Sequence, residues 1–166
     1  MLIRAATPSD IPTLRALADS IWRKHYPSII SMAQIDYMLA RMYSTAQIES
    51  EMRAGHYWDL VEIDDAPVGF MASRLDADRT LKLDKIYLEP AWHGRGYGQR
   101  LLEHVETRAR ALGAERIQLF VNRNNESAVR AYVRAGFQIV EALDQPFGEY
   151  ALNDFRMSKP LRISPI

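Results

Sequence analysis

Three glycines at alternate positions, Gly94, Gly96 and Gly98, punctuate the run Trp92-His93-Gly94-Arg95-Gly96-Tyr97-Gly98-Gln99, which leads into the apolar pair Leu101-Leu102. Glycine lets a backbone come close to a ligand. A helix starting in such a turn aims its unpaired N–H groups and positive dipole end back at it. That chemistry holds an anion, most simply a phosphate. Arg95 and Arg100 add positive charge at the same end, which suits a phosphate and not a cation. The Rossmann spacing G-x-G-x-x-G is absent, and no Gly-Lys-Ser/Thr closes the turn as in a P-loop. A pyrophosphate cradle of a third kind remains. A second constellation lies downstream, where Asn125, Ala128 and Tyr132 fall along one face of a helix and Val129 and Val133 form another stripe. By itself Asn125 reads more often as an N-cap, and Tyr132 as a packed tyrosine with a satisfied hydroxyl; beside the upstream turn the functional reading prevails for both.

The elements that must position these groups are legible around them. A strand precedes the turn, with Leu81 and Leu83 at odd positions but Ile86 and Leu88 at even ones. With a period of two, that phase change predicts a β-bulge near Asp84–Lys85; the alternative is a strand that twists or ends there. A bulge splays the strand and frees main-chain groups for a ligand. The spacing predicts a helix from Gly96 to Leu112 capped by Gly113, a strand over Arg116–Asn122 and a helix over Asn125–Ala135 closed by Gly136. Two strands follow, Phe137–Leu143 and Tyr150–Ser158, around a Pro146–Gly148 loop. Val129 and Val133 are the expected core face of the Asn125 helix.

Upstream, Leu2–Ala5 reads as a strand, and Thr7 with Pro8 opens a helix to about Lys24 whose buried face is Ile11, Leu14, Leu17, Ala18 and Ile21. Ser31 with Gln34 and Ser44 with Gln47 are capping boxes for two short helices, about 32–43 and 45–54. Trp22, Tyr26, Tyr37 and Tyr43 either pack these helices or wall a substrate pocket. His56–Ile63 and Pro67–Arg74 make a hairpin turned at Asp64-Asp65. Helices first, then strands mixed with crossover helices, predict an α+β (mixed α/β) chain around a mostly antiparallel sheet.

With 166 residues, a single domain over 1–166 is expected. Lys plus Arg equals Asp plus Glu at 21 each, so no overall field recruits nucleic acid or an anionic membrane. The chain has no cysteine, which removes disulfides, thiolate catalysis and Cys-type zinc sites. No metal is expected, and the reading is of a cytoplasmic protein without a signal peptide or membrane span.

These motifs carry a family resemblance. His93-Gly94-Arg95-Gly96-Tyr97-Gly98 with Leu101-Leu102 resembles motif A of the GCN5-related N-acetyltransferases (GNAT), and Asn125-x-x-Ala128-x-x-x-Tyr132-x-x-x-Gly136-Phe137 resembles their motif B. One departure is His93, where the family usually carries Gln or Arg. The resemblance implies a GNAT-like fold with a bulged, splayed central strand and flanking helices, and acetyl-CoA as donor. Residues His93 to Gln99, that is His93, Gly94, Arg95, Gly96, Tyr97, Gly98 and Gln99, would hold the pyrophosphate. Ile86, Tyr87 and Leu88 would pair with the pantetheine arm, and Asn125 and Tyr132 would contact the cofactor. It further implies that the backbone N–H near Leu88 polarises the thioester carbonyl and that Tyr132 acts as general acid. A phenol of pKa about 10 can feed a thiolate of pKa about 8.5.

The acceptor side is less determined. Deprotonating an alkylammonium of pKa about 10.4 at pH 7 costs roughly 4–5 kcal/mol, so a base or water chain is needed. Positions where related enzymes carry a glutamate are Lys82 and Phe120 here. Asp84 is the substitute base, with Glu62, His25 and Glu149 behind it. The C-terminal run from Phe147 to Lys159 is similar to the PaiA-type polyamine acetyltransferase branch, and Asp36, Glu62, Asp84, Glu149 and Asp154 are the carboxylates such a cleft would draw on. A small amine such as a polyamine is therefore the expected substrate. A protein or peptide N-acetyltransferase and a catalytically inactive CoA-binding sensor are the alternatives. Resembling proteins commonly pair through their terminal strands, so a homodimer is what the resemblance implies.

Overall fold

The computed structural model describes residues 1–162. In chain order it has β1 (Leu2–Ala5), α1 (Ile11–His25), α2 (Met32–Met42), α3 (Thr45–Arg53), β2 (Tyr57–Ile63), β3 (Ala66–Leu75), β4 (Thr80–Leu88), α4 (Tyr97–Ala111), β5 (Arg116–Asn122), α5 (Glu126–Arg134), β6 (Gln138–Phe147) and β7 (Tyr150–Pro160). The sheet order is β1-β2-β3-β4-β5-β7-β6. The pairings β1–β2, β2–β3, β5–β7 and β6–β7 are antiparallel and β4–β5 is parallel. The mixed α+β class with a mostly antiparallel sheet is as the sequence predicts. Two compact units divide the chain, Met1–Arg74 with Lys85–Gly98, and Leu75–Asp84 with Gln99–Ile166, so β4 contributes to both.

The first unit follows its local signals closely. Thr7 donates its amide to the Asp10 carboxylate at 2.8 Å, but Pro8–Asp10 form a 3-10 turn and the α-helix itself begins at Ile11. Ser31 and Ser44 accept the amides of Gln34 and Gln47, each at 3.1 Å, which satisfies donors that the first turn of a helix leaves without a carbonyl. Asp64 and Asp65 both take positive φ, as a two-residue hairpin turn requires. The core is an aromatic stack: Trp58 on Phe70 at 6.1 Å, Tyr43 edge-on to Phe70 at 5.7 Å, and Trp22 against Tyr26 at 4.4 Å. Trp22 and Tyr43 are thus core residues. Tyr37 lies outside that stack, under the Arg41 guanidinium.

Gly69 on β3 is required by close approach. A β-carbon there would overlap the Tyr87 carbonyl oxygen and stand 2.8 Å from Leu88 Cδ2. Gly69→Ala is expected to destabilise by about 1–3 kcal/mol, because the neighbour is backbone and cannot rotate away. Chemical denaturation would show a lower midpoint at unchanged slope. An unchanged midpoint would mean that β3 and β4 separate at little cost.

In the second unit β4 pairs with β5 over Thr80–Lys82 against Arg116–Gln118. Along β4, buried positions alternate through Leu81, Leu83 and Lys85, and the next is Leu88. The phase change expected near Asp84–Lys85 therefore falls just after Lys85. Leu101, Leu102, Val105 and Ala109 form the buried stripe of α4, and Gly113 ends it with φ +71°. Two expectations are corrected here. The β6–β7 hairpin runs on through Pro146 and Phe147, which pair with Ala151 and Tyr150, so the connecting loop is shorter than Pro146–Gly148. Proline is accommodated because β6 lies at the end of the sheet order. Val133 is 52% exposed and α5 has no buried residue, so the Val129–Val133 stripe is not a core face. In its place, Phe137 just beyond the helix is buried, 5.9 Å from the Tyr132 ring.

Candidate active site

In the first unit the glycine-rich turn follows directly on the end of β4. Gly94 and Gly96 adopt φ of +73° and +80°, a conformation that L side chains rarely take. A β-carbon added at Gly94, Gly96 or Gly98 would meet nothing within 4 Å, so the turn borders open space on all three. The turn is braced internally: the Arg95 guanidinium lies 5.1 Å over the Trp92 ring, which is edge-on to Tyr97. Helix α4 starts at Tyr97, and the amides of Tyr97, Gly98 and Gln99 belong to its first turn, where no intrahelical carbonyl is available to them. Open space, glycine backbone and first-turn N–H groups together fit a diphosphate.

His93, the position that departs from the family pattern, donates Nε2–H to the Leu88 carbonyl at 2.9 Å. Its side chain thereby ties the turn to the end of the strand. Leu88 is buried, Ile86 and Tyr87 half-buried. The Tyr87 hydroxyl meets that of Tyr26 on the α1 side at 3.1 Å. Glu89 was not singled out from sequence, yet its carboxylate is held by Ser20 Oγ at 2.6 Å and Lys24 Nζ at 2.8 Å. Ser20 and Lys24 lie one helical turn apart on α1, a spacing that was readable, but nothing local named Glu89 as their partner. Lys85 is a second unforeseen feature. Its ammonium is buried over the Trp58 and Tyr43 rings at 5.1 and 5.4 Å, with Glu51 at 3.9 Å.

Two carboxylates considered for an acceptor cleft are engaged elsewhere. Glu62 takes Arg4 Nε at 3.2 Å, and Asp36 takes Arg23 at 2.8 Å.

In the second unit Asp84 is exposed on β4. Asn125 occupies the N-cap position of α5 but makes no side-chain cap bond, and it is 6% exposed. Its Oδ1 accepts from Ser127 Oγ at 3.4 Å. A buried amide that is not spent on capping is more specific than the N-cap reading. Tyr132 is half-buried one helical face along. Asp154 sits opposite Asn122 at the end of β5, and burial pushes its carboxyl above the usual 3.8 while the Arg123 charge partly offsets this. A carboxyl raised above its unfolded value costs stability once the pH passes about 4, and the cost is complete above the folded pKa. Asp154→Asn is expected to raise Tm at pH 7 and to leave it unchanged near pH 3. A lower Tm at pH 7 would mean that Asp154 is paired well enough to outweigh its burial.

The Acetyltransferase (GNAT) family profile matches residues 15–137. The chain belongs to this family. An uncharacterised N-acetyltransferase of Mycobacterium tuberculosis is 35% identical over 94 residues, which is 57% of this chain and 60% of that protein. The match thus spans less than two thirds of that relative's length. A spermidine N(1)-acetyltransferase of Thermoplasma acidophilum is 25% identical over 142 residues, covering 82% of this chain and 88% of that one. Among solved structures, the PaiA N-acetyltransferase of T. acidophilum in complex with coenzyme A superposes with a TM-score of 0.84 at 24% identity, over 96% of this chain and 98% of the other. A GNAT protein of Rhodopseudomonas palustris gives 0.82 at 20% identity over 96% and 95%. At such identities the structures establish the GNAT fold. No helix among the described residues is long and apolar enough to cross a membrane.

Proposed function

We propose that this GNAT chain is an acetyl-CoA-dependent N-acetyltransferase that moves an acetyl group directly to a primary amine, in particular that of a small molecule such as a polyamine. The observation that carries the reading is the Gly94–Gly98 turn: positive φ at two glycines, open space at all three, and a helix starting within it. That the family match runs through both compact units supports one N-acetyltransferase domain over 1–166. The polyamine class is supported by the spermidine-acting relative that matches most of the chain.

Bound acetyl-CoA supplies an activated acetyl thioester. The amides of Gly94, Arg95, Gly96, Tyr97, Gly98 and Gln99 hold its diphosphate, with Arg95 and Arg100 contributing charge. His93 keeps that turn tied to Leu88, so diphosphate and thioester are gripped by one continuous piece of backbone. Ile86, Tyr87 and Leu88 line the pantetheine arm, and the Leu88 N–H donates to the carbonyl as negative charge grows on its oxygen. Asn125 contacts the donor, and Tyr132 gives its proton to the departing sulfur. Asp84 takes the amine's proton, directly or through water. A peptide acceptor is the second reading, favoured by a peptidyl-lysine N-acetyltransferase of Salmonella typhimurium that is 33% identical over 95 residues, 54% of this chain and 59% of that one. A CoA-binding sensor is the third; a catalytic role for Tyr132 would exclude it.

Calorimetry with acetyl-CoA, followed by thiol release against polyamines, amino acids and short peptides, separates the three. Micromolar binding with release on a polyamine is the expected result. Release on peptides alone moves the acceptor class, binding without release favours the sensor, and no binding removes the reading altogether.

A further inference from the structure

The half-buried carboxyl of Asp154 makes no hydrogen bond and no ion pair among the described residues, although two arginines flank its strand. Both are taken. The Arg123 guanidinium is bound to Asp144, and Arg156 sets Nε and Nη2 on Glu141 Oε2 at 3.0 and 2.8 Å. Arg123 still acts on Asp154 through its charge, but burial outweighs it, so the ionised carboxylate carries a cost. A cation from outside the chain relieves that cost. The surroundings suit one. Asn122 pairs with Asp154 and Phe120 with Arg156 in the β5–β7 ladder, so these four side chains share one face of the sheet. The opposite face carries Leu119, Val121 and Met157, all buried. Phe120 is 47% exposed, which leaves a bare aromatic ring diagonal to Asp154. The pairing of β5 with β4 runs only to Gln118, so Phe120 and Asn122 lie past it. Asn125, assigned to the donor, is tied to the same spot, its N–H donating to the Asn122 carbonyl at 2.9 Å.

We propose that the Asp154 carboxylate and the Phe120 ring hold a non-reacting ammonium of the acceptor, so that the protein selects diamines and polyamines over monoamines. This deepens, and rests on, the N-acetyltransferase reading above. A carboxylate favours the charged form of an amine beside it, so a nitrogen held at Asp154 stays protonated and cannot attack. The nucleophile is therefore another nitrogen of the same molecule, and Asp154 fixes its far end. An ammonium brings three N–H donors to a carboxylate whose acceptor positions no side chain fills. The Phe120 ring offers a face to the charge and to the methylenes next to it. Neither residue takes part in the proton transfers assigned to Asp84 and Tyr132. They set which amine is held, not how it reacts.

The test compares the wild type with Asp154→Asn and Phe120→Leu. Each is measured for Tm at pH 7, for spermidine binding by calorimetry with and without CoA, and for kcat/KM on spermidine and on butylamine. Asp154→Asn is expected to weaken spermidine binding about tenfold, the size of one lost charge-assisted hydrogen bond, while Tm rises. The preference for spermidine over butylamine should fall by the same factor. Phe120→Leu keeps an apolar side chain without the ring and should weaken spermidine binding about threefold. Weaker binding in a more stable protein is an outcome that a merely structural Asp154 cannot give. Unchanged spermidine affinity in Asp154→Asn, an unchanged preference, or weaker binding together with a lower Tm overturns the site. A wild type that does not bind spermidine also overturns it, and leaves the transferase reading standing if thiol is released on another amine. A wild type that binds spermidine through Asp154 but releases no thiol on any amine overturns the transferase reading and keeps the ammonium site.

Discussion

Gly96→Glu abolishes acetyl-CoA binding, a loss expected to exceed about 100-fold in Kd, since a like charge set against a phosphate costs several kcal/mol. The structure separates this effect from a folding defect. A β-carbon at Gly96 meets nothing within 4 Å, so the new side chain has room in the protein itself. The φ of +80° imposes a strain of about 1–2 kcal/mol on any L residue, which weakens the turn without disrupting the core. Gly96→Ala carries the same strain without charge or length, and should lose far less affinity. Calorimetry on both variants, with Tm as the fold control, checks the assignment. Unchanged affinity in Gly96→Glu would remove the diphosphate from this turn.

Tyr132→Phe should lower kcat by about 100-fold, the lower end of what a positioned general acid contributes, while acetyl-CoA affinity stays nearly intact. The ring contact with Phe137 at 5.9 Å survives the substitution, so the buried end of α5 keeps its packing. What is lost is the proton for the departing sulfur. Single-turnover thiol release and calorimetry, done side by side, distinguish the roles. Equal loss of binding and turnover would make Tyr132 a packing residue, and the sensor reading would gain.

Most of the architecture lay within reach of local rules. The serine caps at Ser31 and Ser44, the Asp64-Asp65 turn, the glycine stop at Gly113 and the alternation of Ile117, Leu119 and Val121 each involve residues a few positions apart, and each is present. The glycine-rich turn belongs with them, because the positive φ of Gly94 and Gly96 is a conformation that glycine takes most readily. The misreadings share a different cause. The Val129–Val133 stripe has helical periodicity, but whether a stripe is covered depends on what the rest of the fold lays against it, and Val133 is left 52% exposed. Pro146 reads as a breaker until the strand is known to lie at the end of the sheet order.

By itself, then, the sequence determined the family, most of the elements and the glycine-rich turn, since these rest on contacts between near neighbours along the chain. Only the tertiary structure decided the partners of side chains far apart in sequence: Glu89 with Ser20 and Lys24, Lys85 with Glu51 and Trp58, Tyr26 with Tyr87, and the unpaired atoms of Trp22 and Tyr43. Such pairs obey no spacing rule. Which polar atom meets which inside a core is set by how the elements pack.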